Sequence, residues 1–347
     1  MLSLLLYPFS VLYHGVTSLR NVLFDKGLIR SVTFEKAVIC VGNLSVGGTG
    51  KTPMIEYLVN LLGDRYSVAI LSRGYGRATS GYRIAGNQEN ASTLGDEPFQ
   101  FYKKFGSKVS VAVCESRVVG ISRLLAENPS VNVILLDDAF QHRAVRPLFS
   151  ILLTDYAKPF FSDFLLPRGR LRESRSGSRR ADVVVVTKCN SLPETIASQF
   201  QDSIQQEAGP KPVFFSGIRY REPVPFGNGV MGKNVVLVSG IANSATLVDY
   251  VSKTFHLVDH VQFGDHHPYS KSEVQNIESK AGTLAAVILT TEKDMVKLIS
   301  PTLNDAMNKK LWFYLPIETY FLKSGSEFDK QITGKIENHF TTHFFKR

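Results

Sequence analysis

The chain of 347 residues is long for one domain and suits two, and its 44% hydrophobic content supports a large core and excludes an intrinsically disordered protein. Its 40 Lys and Arg against 31 Asp and Glu leave a net charge of +9, which favours anionic partners: nucleic acid, anionic lipid or a phosphorylated substrate. The three scattered cysteines, Cys40, Cys114 and Cys189, include no C-x-x-C pair, which points to a reducing compartment and away from a disulfide framework or a zinc site.

The first segment, "MLSLLLYPFSVLYHGVTSL", carries no Lys, Arg, Asp or Glu before Arg20. It lacks the basic start of a signal peptide, and Pro8, Ser10, His14, Gly15, Thr17 and Ser18 interrupt the run a membrane-spanning helix needs. The segment 1–35 reads as helical, a short helix lying in a membrane interface, with Arg20, Lys26, Arg30 and Lys36 meeting head groups. A helix packed on the protein's own core is the alternative.

Short Val/Ile/Leu-rich runs then alternate with helical stretches, the mark of a parallel sheet covered by helices. Strands are expected at 36–42, 66–72, 108–114, 131–137, 149–155 and 182–188, and helices at 52–62, 96–105, 115–127 and 193–206. The Pro- and Gly-rich stretch 212–229 reads as a linker. A second alternation follows, with strands at 234–240, 256–263, 284–291 and 311–316. The expected fold is therefore α/β: a P-loop domain over 36–211, a hinge over 212–229 and a smaller α/β domain over 230–347, with a substrate cleft between them.

"VGNLSVGGTGKTP" follows the first strand and opens a helix, the context a phosphate loop requires. Ser45, Val46, Gly47, Gly48, Thr49, Gly50, Lys51 and Thr52 would form the nucleotide site, the glycines letting backbone N–H groups turn toward phosphate. Lys51 would reach the β- and γ-phosphates, and the Thr52 hydroxyl would ligate Mg²⁺. Ser45 replaces the usual first glycine, so its backbone must avoid a glycine-only conformation; Pro53 sits in the first helical turn, where a missing N–H costs little. The apolar strand "VILLDDAFQHR" ends in Asp137 and Asp138, where a second Mg²⁺-holding carboxylate belongs, one holding the metal shell and the other assisting. A helix N-cap at Asp138 is the alternative. "VTKC" at 186–189 lacks the Asp of guanine recognition, which favours ATP.

Together with "SRGYGR" (72–77), "GDEPFQF" (95–101), "LLPRGRLRE" (165–173), "FGDHHPYS" (263–270) and "TTEKDMVKL" (290–298), these motifs resemble the tetraacyldisaccharide 4'-kinase family, the membrane-associated lipid A kinases of Gram-negative bacteria. The resemblance implies an ATP-dependent kinase that phosphorylates a tetraacylated glucosamine disaccharide 1-phosphate to lipid IVA. It also implies a peripheral place on the cytoplasmic face of the inner membrane, and a P-loop domain joined by a two-stranded hinge to a smaller domain. Asp96 matches the family's D-E-P motif. At a helix start, whose positive end favours its ionised form, it is the expected proton acceptor. His266 or His267 would approach it from the second domain. Arg172 and Glu173 fall on a family motif and are expected in the active site, and Arg73, Tyr75 and Arg77 would line the sugar pocket. The run Arg168, Arg170, Arg172, Arg175, Arg179 and Arg180 offers guanidinium groups for the substrate's 1-phosphate, lipid heads or the γ-phosphate, although such runs are commonly solvated. Lys293 and Asp294 would contact adenine or simply open a charged helix.

Two other classes compete. A nucleotide-switch ATPase commonly carries a lysine where this loop has Val46, and a nucleic-acid ATPase would spread its basic residues over an aromatic platform, which is not seen here. No nucleic acid and no obligate protein partner are therefore expected.

Overall fold

The structure, a computed structural model, describes residues 6–305 and 307–344; the first five residues of the expected interfacial segment lie outside the described residues. Strands β1 (Ala37–Asn43), β2 (Val68–Ser72), β3 (Arg83–Ile84), β4 (Ser110–Val113), β5 (Val133–Asp137), β6 (Phe149–Asp155), β7 (Val183–Thr187) and β8 (Val213–Tyr220) belong to one large sheet. A smaller sheet holds β9 (Val224–Pro225), β10 (Asn234–Ser239), β11 (His256–Gln262), β12 (Val287–Thr291) and β13 (Trp312–Leu315), while β14 (Ile317–Phe321) returns to the first. The order is β14-β8-β7-β6-β1-β5-β2-β4-β3 in the large sheet and β11-β10-β12-β13-β9 in the small one.

The large sheet is parallel from β8 to β4, with antiparallel strands at both edges. Side chains alternate across its two faces, as strand geometry requires. From β1, Ala37, Ile39 and Val41 pack under the Lys51–Leu62 helix, while Val38 and Cys40 pack toward helices Arg117–Glu127 and Glu194–Ala208. Both faces are covered, which is why the central strands read as continuous apolar runs. The small sheet is covered likewise, by helix Lys271–Thr283 on one face and Ala245–Thr254 on the other.

Two segments differ from the expected organisation. Residues 213–220, read as linker, form the strand β8, parallel to β7 and antiparallel to β14. Its inward positions carry Phe214 and Ser216 beside Gly217, too mixed a set to announce a buried strand. Residues 317–344, read as part of the small domain, return to the large sheet instead: β14 pairs with β8, and Phe328, Ile332 and Ile336 of helix Gly325–Phe344 enter the same core as the Lys51–Leu62 helix. The chain thus crosses between the sheets twice, side by side, with Arg221 N donating to Pro316 O at 2.9 Å.

Candidate active site

The phosphate loop leaves β1 and rises to an exposed crest at Val46, Gly47 and Gly48 between buried Ser45 and Thr49. Gly47 (φ 104°) and Gly50 (φ 79°) take the left-handed conformations that glycine adopts without a steric penalty. Ser45 lies outside that region and forms an antiparallel bridge to Leu171, and Val46 N donates to Arg170 O at 2.8 Å, so the arginine segment braces the loop. From β7, the Thr187 hydroxyl donates to Thr49 O at 3.0 Å. Lys51 and Thr52 open the following helix, and Pro53 sits in its first turn.

Asp137 ends β5, and Asp138 follows with φ 47°, a left-handed turn that a short polar side chain tolerates. Asp138 faces Lys51 Nζ at 3.8 Å and accepts a two-pronged guanidinium contact from Arg172, at 3.0 and 2.7 Å. Burial works against its charge, but Lys51 and Arg172 outweigh burial and hold its carboxyl below the ordinary range. Asp137 is buried, accepts from the Ser72 hydroxyl at 3.1 Å, and leaves Oδ1 without a hydrogen-bond partner. Burial, then the nearby charges of Glu97 and Asp138, push its carboxyl up to about 7.

Asp96 opens helix Asp96–Phe105 and accepts from His266 Nδ1 at 2.9 Å. His266 occupies a left-handed turn after β11 (φ 59°), and its Nε2 meets Lys293 Nζ at 3.1 Å, which also binds Asp265 at 2.9 Å. The bond to Asp96 raises the proton affinity of His266 against the opposing effects of burial and Lys293. His267 does not join this group: its Nε2 donates to Glu273 at 3.0 Å and its ring stacks on Phe263.

Other expected site residues separate in the same way. Arg73 is exposed and close enough to depress His142, and the exposed Tyr75 ring lies edge-on to His266, with centroids 6.5 Å apart. The Arg77 side chain is instead buried within its own loop, paired with Glu115 and donating to Gly81 O at 2.6 Å. Arg172 faces Asp138, but Glu173 is fully buried, bound by Arg180, Gln141 and Asn21. Asp294 is fully buried, accepting from Gly240 N at 2.8 Å and from the Thr291 hydroxyl at 2.7 Å. Thr291 caps the helix that Asp294 belongs to, accepting from Asp294 N at 3.0 Å, and Lys293 is engaged by Asp265 and His266.

Several neighbours went unassigned in the sequence. Arg117 is buried and donates to Cys114 O and Asp137 O. Burial, then the charges of Arg117 and Arg73, push His142 down to about 4. Glu97 sits beside Asp96 and His142 lies within "LDDAFQHR"; chemistry-bearing residues next to assigned ones were the signal available.

The helix Tyr7–Asp25 leans on the arginine segment. Ser10 Oγ donates to Leu165 O at 3.1 Å, Tyr13 Oη to Arg172 O at 2.8 Å, and Asn21 to Glu173 at 2.9 Å. Phe9, Leu12, Val16 and Leu19 point outward and are more than half exposed. Among the described residues no helix is long and apolar enough to cross a membrane.

Residues 2–337 match the family model described as tetraacyldisaccharide-1-P 4'-kinase. The chain belongs to the tetraacyldisaccharide 4'-kinase family. Curated members from Flavobacterium psychrophilum and Bacteroides thetaiotaomicron are each 43% identical to it, covering 97% and 99% of this chain and 97% and 96% of their own. A crystal structure of the "apo" form of LpxK from Aquifex aeolicus in complex with ATP is similar at a TM-score of 0.77 and 29% identity, over 97% of this chain and 100% of that one. As a family member the chain is an ATP-dependent 4'-kinase of lipid A biosynthesis.

Proposed function

We propose that Asp96 accepts the proton of the 4'-hydroxyl of tetraacyldisaccharide 1-phosphate as the γ-phosphate of ATP is transferred to it, giving lipid IVA. The observation that carries this is the 2.9 Å bond joining Asp96 to His266 from the other sheet's loops. Asp96 stands at the start of helix Asp96–Phe105 and takes the hydroxyl proton late in transfer. His266, with Lys293 behind it, holds the carboxylate's orientation and then shares the proton across its bond to Asp96.

Lys51 and the loop 45–52 would hold the triphosphate, with Gly47 and Gly50 in the conformations that turn N–H groups toward phosphate. Mg²⁺ suits the donors present: the unpartnered Oδ1 of buried Asp137 and the Thr52 hydroxyl are hard oxygen ligands. Among the described residues no group of three or more His, Cys, Asp or Glu side chains could hold a metal alone, which suits an ion shared with phosphates. When bound, the metal neutralises charge developing on the transferred group. Asp138 and Arg172 orient one another beside Lys51, and Arg73 and Tyr75 border the acceptor sugar. The outward apolar row of the Tyr7–Asp25 helix would rest in the cytoplasmic face of the inner membrane, close to the arginine segment that would meet the substrate's 1-phosphate.

The test is transfer of label from γ-labelled ATP to the lipid in detergent with Mg²⁺. Asp96→Ala is expected to lower kcat by about 10²-fold or more while ATP affinity holds, and Lys51→Ala to lower both. Equal loss of ATP binding in the two variants contradicts this division of roles.

A further inference from the structure

Behind the site lies a buried charged cluster that the reaction does not itself use. Glu56, on the helix that begins with Lys51, is buried, and so is Glu292, the first residue of helix Glu292–Leu298. Lys104 Nζ lies between them, 2.7 Å from Glu56 and 3.0 Å from Glu292. Gln100 Nε2 donates to the other oxygen of Glu56 at 3.0 Å. Gln100 and Lys104 stand on the helix that begins with Asp96. Glu292 precedes Lys293, the residue that meets His266, and accepts from the backbone of Ile317, where the chain enters β14.

One ammonium thus joins the three elements that carry Lys51, Asp96 and the support of His266. Lys104 is eight residues from Asp96, about 12 Å along the helix, so the cluster grips the far end of the helix whose near end faces the substrate. A small apolar core of Phe99, Met295 and Val296 fills the space alongside. Apolar packing resists separation but tolerates sliding; an ammonium bound to two buried carboxylates fixes register, since a shift strands a charge away from water. Burial, then Glu292, raises the Glu56 carboxyl to about 7, and Glu56 and Glu292 raise the proton affinity of Lys104 although burial opposes it.

We propose that Lys104 is a positioning residue: by binding Glu56 and Glu292 together it sets the Asp96 helix between the phosphate-loop helix and the second sheet's unit, so that His266 meets Asp96. The inference rests on the Asp96–His266 reading above, and a double-mutant cycle separates the two. Turnover is measured in detergent for Lys104→Met, His266→Ala and the double variant, with Lys104→Arg as the charge-keeping control. Lys104→Met is expected to lower kcat about tenfold or more in the natural background and less than about twofold when His266 is already Ala. Lys104→Arg should stay within about threefold of the natural enzyme, since it keeps the cation. Equal losses from Lys104→Met in both backgrounds overturn the inference and leave the Asp96–His266 reading standing. A His266→Ala variant of undiminished kcat overturns both. If Lys104→Met does not fold, Lys104→Met combined with Glu56→Gln and Glu292→Gln removes the stranded carboxylates, and the same cycle applies. Natural turnover in that triple variant refutes positioning by the charges.

Discussion

His266 and His267 are neighbours in sequence with opposite fates, because the left-handed turn at His266 sends its ring to Asp96 while His267 stacks on Phe263 and binds Glu273. Accordingly, His266→Ala should lower kcat about 10²-fold with little change in melting temperature. His267→Ala should instead keep kcat within about twofold and lose roughly 1 kcal/mol of stability; the reverse pattern in paired kinetics and melts would exchange their roles. His142 gives a pH prediction. Its ordinary value of 6.5 falls to about 4 in the folded chain, so between these limits the unfolded state binds a proton that the native state refuses. This part of the stability is complete above 6.5 and is lost as pH falls toward 4, at most about 1.4 kcal/mol per unit and less after solvent screening. Chemical denaturation across that window should show His142→Gln gaining on the natural protein as pH drops; a constant difference would mean that His142 does not titrate this way.

The Tyr7–Asp25 helix has two unlike faces. Its polar contacts at Ser10, Tyr13 and Asn21 hold it to the arginine segment, and its outward residues Phe9, Leu12 and Val16 are exposed. Replacing those three by Ser should weaken binding to anionic vesicles by about tenfold per side chain, from ~1.5 kcal/mol of apolar burial each. Turnover of detergent-dispersed substrate should change less than about threefold, because no residue assigned to the site is touched. Vesicle flotation that matches the natural protein would show that this face is not the one that meets lipid.

Across the molecule, the large core is closed by the last part of the chain. Ile332 is fully buried in the same cluster as Met54 and Leu58 of the phosphate-loop helix, and Tyr57 Oη donates to Asp329 at 2.8 Å. Ile332→Ala should therefore destabilise the large sheet by ~2–5 kcal/mol, read as a lower urea midpoint for the transition that abolishes nucleotide binding. A midpoint shift confined to the second sheet would place the helix with the smaller unit instead. The phosphate loop, the paired aspartates of β5, the helix start at Asp96 and the central strands were all legible in the sequence. Each is a contiguous pattern in which local sterics and burial on both faces dictate residue type. The inward turn of Arg77, the burial of Glu173 and the choice between His266 and His267 were not, because side-chain direction depends on partners distant in the chain. The return of 317–344 was hidden for the same reason: β14 finds its partner β8 about a hundred residues upstream, and no local pattern records which sheet edge a strand will meet.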